Sequence, residues 1–286
     1  MILELSKYLA EEELAREREK TSFWATDSEK PLFDLYHQWK GTKPTNPIEP
    51  KKLIMFQAAK MLEMAMVDKL VAMGKAQKLE QQARIDFQWE DVPITGYVDA
   101  LEINSDPIEI KSFYGEYQAK ELQEGKPKTS YLKQLAIYMY FLGKKRGTLI
   151  YLDRGTGDMY EFELVRLDDF TFQSGNIKFD LRDVFKRWKD LYANHILPSI
   201  EPKSEYLYKL PISSINWSSL SKADISKART NQKVIGSHPW AVNYSPYKNM
   251  IIEREGTTLG YTDEELNQIK ELTKGYSAKP IKKLIT

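Results

Sequence analysis

Residues 94–113, "ITGYVDALEINSDPIEIKSF", constrain the fold more tightly than any other stretch of the chain. Two strand-length runs, "TGYVDAL" and "PIEIKSF", flank the short polar loop "EINSD", so the spacing predicts an antiparallel pair. If Leu101 faces Pro107, counting along the pair sets Asp99 opposite Glu109, and directly opposed side chains share a face about 5 Å apart. Lys111 points to that face as well, because side chains alternate along a strand. Val98, Ala100, Ile108 and Ile110 then fill the other face. Two carboxylates that close repel each other in an apolar setting, and a hard divalent cation reverses the sign. The same residues also suit an ordinary surface strand pair carrying one Asp and a Glu–Lys ion pair.

The surroundings predict an α/β core. Apolar residues from Lys51 to Met73 (Leu53, Ile54, Phe56, Met61, Leu62, Met66, Leu70 and Met73) recur at helical spacing, with Gly74 as a stop. "ARIDFQWE" reads as a further strand, and a second helix runs from about Tyr131 to Leu142, stopped by Gly143. "GTLIYLD" and "MYEFELV" read as a hairpin across "RGTGD", and an amphipathic helix follows near Leu181 to Ile196. A last helix is announced by the capping box "TDEE", with Thr262 and Glu265 at the required spacing. Helix, strands, helix, strands is the order of a mixed sheet flanked by helices. No clean linker appears, so residues 1–286 are expected to form a single domain. Its core would cover about 51–200, with helical and loop elaborations at 1–50 and 201–286 packing together.

Composition excludes several chemistries. The 286 residues include no cysteine, which removes disulfides, thiolate metal sites and iron–sulfur clusters held by this chain. Three histidines, His37, His195 and His238, are too scattered for a metal cluster, and no Gly-rich phosphate loop is present. No apolar run is long enough to cross a bilayer, and the N-terminal stretch lacks a secretory core, so a cytoplasmic location and no membrane partner are expected. A net charge of +1 leaves nucleic-acid binding to local patches. Two qualify, one holding Lys126, Lys128 and Lys133 and the other Lys144, Lys145 and Arg146, although each also suits a plain solvated face.

Two helical features add to the strand pair. Glu63 sits in the Met-rich stretch "AAKMLEMAMV", where a solvated position is the ordinary alternative. Gln134 and Tyr138 lie four apart on one face of a helix that is apolar nearly all round. Buried, they need partners, which a nucleic-acid strand, the lysine's neighbourhood or backbone carbonyls would supply.

In this order, Glu63, Gly96-Tyr97-Val98-Asp99, Glu109-Ile110-Lys111 and Gln134-x-x-x-Tyr138 resemble the PD-(D/E)xK nuclease superfamily, most of all RecB-type exonuclease domains of CRISPR-associated and phage origin. The resemblance covers about residues 20–200 and implies a restriction-endonuclease-like core. It also implies a Mg2+- or Mn2+-dependent deoxyribonuclease acting by metal-activated water, with exonuclease action. By the same resemblance Asp99, Glu109 and the Ile110 carbonyl are metal ligands and Lys111 is the catalytic lysine. Gln134 and Tyr138 help bind the strand and organise the site. Glu63 stands where many members carry a histidine ligand, in "AKMLE" with Ala59 replacing glycine. Implied partners are DNA, as single strands or duplex ends, and proteins of recombination, repair or replication; a phage origin would fit. A catalytically inactive DNA-binding or assembly module of the same fold is the alternative.

The flanks are similar to the iron–sulfur branch of that family and then depart from it. Pro31 and Leu32 stand where cysteine and arginine are the pattern, and Val242, Ser245 and Ile251 stand at cysteine positions in "HPWAVNYSPYKNMI". Apolar packing is expected to join these ends instead, with Trp24, Phe33, Tyr36, Trp240, Tyr244 and Tyr247 as candidates.

Overall fold

A computed structural model of the chain describes residues 4, 8, 20–77, 84–204, 212–235, 242–255 and 260–276. These fall into two units: the first comprises Met1–Lys30, Leu35–Thr42 and Ile48–Pro202, the second Pro31–Asp34, Lys43–Pro47 and Lys203–Thr286.

The first unit holds two sheets. β1 (Phe23–Trp24), β3 (Arg84–Trp89) and β4 (Val92–Tyr97) form a three-stranded sheet in the order β1-β4-β3. The larger sheet contains β2 (Ala76–Gln77), β5 (Ala100–Glu102), β6 (Pro107–Phe113), β7 (Arg146–Asp153), β8 (Met159–Arg166), β9 (Thr171–Ser174) and β10 (Ile177–Asp180). Its order is β10-β9-β8-β7-β6-β5-β2. Among the described residues, only β6 and β7 run parallel in it. Parallel neighbours need a crossover, and α3 (Glu116–Gln123) with α4 (Thr129–Phe141) supplies it.

Alternation sends consecutive residues of β6 to opposite faces. Ile108 and Ile110 join Ala100, Ile150 and Ala76 against Val67, Met66 and Leu70 of α2 (Pro50–Ala72). Glu109 and Lys111 face the other way, towards α4, on which Leu132 and Gln134 through Met139 are all buried. Helices therefore cover both faces of a mixed sheet, the α/β architecture that the resemblance implies. α2 and α4 stop where the sequence predicts, at Gly74 and Gly143, each with φ of +67°. α1 (Leu32–Trp39) precedes this core, and α5 (Arg182–Leu191) closes it. α5 buries Val184, Phe185, Trp188 and Leu191, and Trp188 stacks on Phe23 at 5.1 Å.

Two expectations need correction. "TGYVDAL" is not one strand: β4 ends at Tyr97 and β5 begins at Ala100, so Val98 and Asp99 carry the chain from one sheet to the other. The apolar pattern of α2 is also not a core face throughout. Ile54, Phe56, Met61, Leu62 and Met73 are exposed, and helix packing uses Leu53, Val67 and their neighbours instead. β2, β9, β10 and α3 were not foreseen.

In the second unit α6 (Lys222–Arg229) and α8 (Asp263–Leu272) share a core of Ile212, Trp217, Ile225, Val234, Tyr261 and Ile269. The capping box forms as read: the Glu265 amide donates to Thr262 Oγ1 at 3.2 Å and the Thr262 amide to Glu265 Oε2 at 2.7 Å. Near α7 (Lys248–Glu255), Phe33, Val242, Tyr247 and Ile251 form a smaller cluster. Ser245 Oγ donates to Asp34 Oδ1 at 2.8 Å beside it. The positions read as replaced cysteines thus include Val242 and Ile251 in an apolar cluster and Ser245 in a buried hydrogen bond. Of the aromatic candidates, Phe33 and Tyr247 take part, whereas Tyr244 and Trp24 are exposed and Tyr36 is buried in the first unit. Trp240 and His238 lie outside the described residues.

Candidate active site

The register of β5 and β6 pairs Leu101 with Pro107 and Ala100 with Ile108, so one further step sets Asp99 opposite Glu109. The turn between them is held by amide donation from Glu102 to the Asp106 carbonyl and from Ser105 to the Glu102 carbonyl, each at 2.8 Å. The ladder stops at Ala100, which would leave the Ile110 amide without a strand partner. Asp99 Oδ2 accepts from that amide at 2.9 Å and so ends the pairing.

Glu109 is the centre of the arrangement. It is 1% exposed, and its Oε1 accepts from Gln134 Nε2 at 2.8 Å and pairs with Lys111 Nζ. Gln134 Nε2 also donates to Tyr138 Oη at 3.0 Å. The buried Gln and Tyr of α4 thereby find their partners in each other and in the acid on the sheet. Glu109 Oε2 is buried with no partner among the described residues. Burial first, then the charge of Asp99, pushes the Glu109 carboxyl up to about 8. Asp99 is raised by burial as well, with Lys111 and the Ile110 amide opposing. Lys111 is held above its ordinary value: burial would lower it, but Glu109 and Asp99 together outweigh that cost.

Glu63 reaches the site from α2. Its Oε1 accepts from the Ser112 amide at 2.9 Å and from Ser112 Oγ at 3.2 Å, and its charge is felt by Asp99, Glu109 and Lys111. Tyr131 completes a row on α4 with Gln134 and Tyr138, at i, i+3 and i+7. Lys111 Nζ lies 5.2 Å from the centroid of its ring and Lys128 Nζ 5.6 Å. The row was legible in the sequence, since Tyr131 shares the spacing of the two residues singled out there. Gly96 has a different role: a Cβ there would meet Tyr138 Cε1 at 2.4 Å, so only glycine lets the tyrosine ring lie against β4.

The predicted basic residues divide between the two ends of α4. Lys126, Lys128 and Lys133 lie at its N-terminal end, where Lys126 pairs with Glu124 and Lys133 with Glu29. Lys144, Lys145 and Arg146 follow its C-terminal end, with Arg146 paired to Glu163. That second group leads into β7, whose first residue is Arg146, and stands at the opposite end of the strand from Arg154.

No three His, Asp or Glu side chains among the described residues converge tightly enough to ligate an ion by themselves. The donors present nonetheless suit a hard cation. They are oxygens only, one of them a buried carboxylate oxygen lacking a partner, and the charges of Asp99 and Glu109 oppose each other. Carbonyl and water oxygens complete such a sphere in the usual way. His37 is not part of it: Nδ1 lies 3.0 Å from Thr42 Oγ1.

No family model matches the chain, and no curated protein does. Solved structures give distant likenesses. The chain is similar to SSO0001 at 19% identity, covering 68% of this chain and 87% of that one, with a TM-score of 0.47. It is similar to LHK-Exo, an alkaline exonuclease from Laribacter hongkongensis, at 18% identity over 63% of this chain and 90% of the other, with a TM-score of 0.44. LHK-Exo in complex with dAMP gives 17% identity, 63% and 88% coverage, and a TM-score of 0.40.

Proposed function

We propose that the chain is a Mg2+- or Mn2+-dependent deoxyribonuclease of the PD-(D/E)xK kind, acting as an exonuclease on DNA in the cytoplasm. One observation carries the reading: a fully buried glutamate with one oxygen engaged by lysine and glutamine, the other without a partner among the described residues, and a second acid on its flank. Such an arrangement is unfavourable as structure alone, since like charges and an orphaned acceptor both cost stability.

Asp99, Glu109 and the Ile110 carbonyl would hold the ion, with Glu63 adding charge from α2. When bound, it lowers the pKa of a coordinated water and offsets negative charge at the phosphate. Lys111 lies beside the ligands, where its ammonium can orient the attacking water or donate to a nonbridging phosphate oxygen. Gln134 and Tyr138 fix the attitude of Glu109. The attacking water gives up a proton to solvent as its oxygen bonds to phosphorus, the bond to the leaving ribose oxygen breaks, and a proton from solvent completes the alcohol.

The test is cleavage of end-labelled linear DNA with magnesium and with EDTA. Lys111→Ala is expected to lose roughly 100-fold or more in rate while keeping its fold and its DNA affinity. Loss of label in single-nucleotide steps would support exonuclease action. Undiminished cleavage by Lys111→Ala would remove the lysine from the mechanism, and DNA binding without cleavage would favour an inactive module.

A further inference from the structure

Beside Lys111 a cleft of about 310 Å3 opens between α2, β6, α4 and the turn after β7. Its lining includes Met55, Phe56 and Glu63 of α2, Tyr131 of α4, and Arg154. Its volume is at the lower end of ligand-pocket sizes and is enough for one nucleotide. It lies at the carboxyl ends of the two parallel strands, where open α/β sheets place their ligands.

Arg154 is built for an anion. Its amide and its Nε both donate to the Phe113 carbonyl, at 2.9 and 3.3 Å, which ties the guanidinium to the end of β6. Its two terminal amino groups have no hydrogen-bond partner, and no carboxylate pairs with it, among the described residues. A partly buried arginine held at Nε with both Nη groups unengaged is a pre-set fork for phosphate oxygens. Phe56 of α2, which lines the same cleft, is 57% exposed, and Met55 beside it is 51% exposed. Exposed aromatic and thioether surface lining the same cleft as an arginine with unengaged amino groups suits a base lying flat, with its phosphate turned to the cation.

We propose that this cleft is a nucleotide-positioning subsite, in which Arg154 holds a phosphate next to the scissile one and Phe56 carries the adjoining base after it leaves its stack. The assignment rests on the nuclease reading of the neighbouring site and adds two positioning residues to it.

The experiment measures binding of a fluorescent single-stranded oligonucleotide in EDTA over a series of salt concentrations, and cleavage in magnesium. Each phosphate neutralised on a single strand contributes about 0.7 to the slope of log affinity against log salt. Arg154→Gln is expected to lower that slope by about 0.7 and to raise KM with little change in kcat. Arg154→Lys should keep the slope while recovering only part of the affinity. Phe56→Ala should weaken binding about tenfold at every salt concentration with the slope unchanged, and Phe56→Trp should restore it. Melting temperatures of the variants identify any that act through folding. Wild-type slope and affinity in both Arg154→Gln and Phe56→Ala would overturn the subsite, even with cleavage still abolished by Asp99→Asn. If the wild type binds but never cleaves, the nuclease reading falls instead, and the slopes still decide the subsite.

Discussion

Glu109 is the residue on which the proposed chemistry turns. Its native pKa is pushed up to about 8, against an ordinary value near 4.3, so between those values the native state holds a proton that the unfolded chain has lost. Stability of the metal-free protein therefore falls as pH rises from about 4.5 to about 8, with a limiting slope near 1.4 kcal/mol per pH unit. Glu109→Gln removes that dependence. The variant is expected to melt higher than wild type at pH 9 in EDTA, with the difference shrinking at pH 5. A parallel pH profile for both proteins would refute the assignment. Metal binding competes with the same proton, so the rise in melting temperature caused by manganese should grow from pH 6 to pH 8.

At the scale of elements, the site exists because two strands do not continue each other. β4 and β5 belong to different sheets, and the break places Asp99 where its carboxylate can take the Ile110 amide. The register assumed for β5 and β6, with Leu101 facing Pro107, is the one observed, because two alternating runs joined by a short loop leave few pairings. It concealed the break, since Val98 reads as apolar whether it sits in a strand or between two. Gly96→Ala tests the packing that holds this corner. An added Cβ 2.4 Å from Tyr138 Cε1 forces the ring away from β4, and overpacking of this kind costs about 1–3 kcal/mol. Cleavage should fall with stability, and pairing the change with Tyr138→Leu should return part of the lost melting temperature. Unaltered stability in Gly96→Ala would mean that the ring has another place to go. α2 misled for a related reason: helical spacing marks an apolar stripe, but exposed Phe56 at the cleft lies three residues from buried Leu53 and obeys the same periodicity.

For the molecule as a whole, the positions at which the resemblance would place cysteines are filled by packing and a hydrogen bond. Val242 and Ile251 are fully buried with Phe33 and Tyr247, and Ser245 bonds to Asp34. Sequence alone predicted apolar packing there but not its membership, because which aromatic turns inward depends on the local helix and turn. Ile251→Ala is expected to destabilise the second unit by about 2–5 kcal/mol, read in denaturant melts, and an iron chelator should leave those melts unchanged. Among the described residues no helix is long and apolar enough to cross a membrane. The central claim, that Asp99 and Glu109 share one hard cation beside Lys111, is tested most directly by anomalous diffraction from a manganese-soaked crystal. The account predicts a single strong peak in contact with Asp99 and Glu109 Oε2. Saturating manganese with no peak there, or with both acids still bonded only to protein groups, would contradict it.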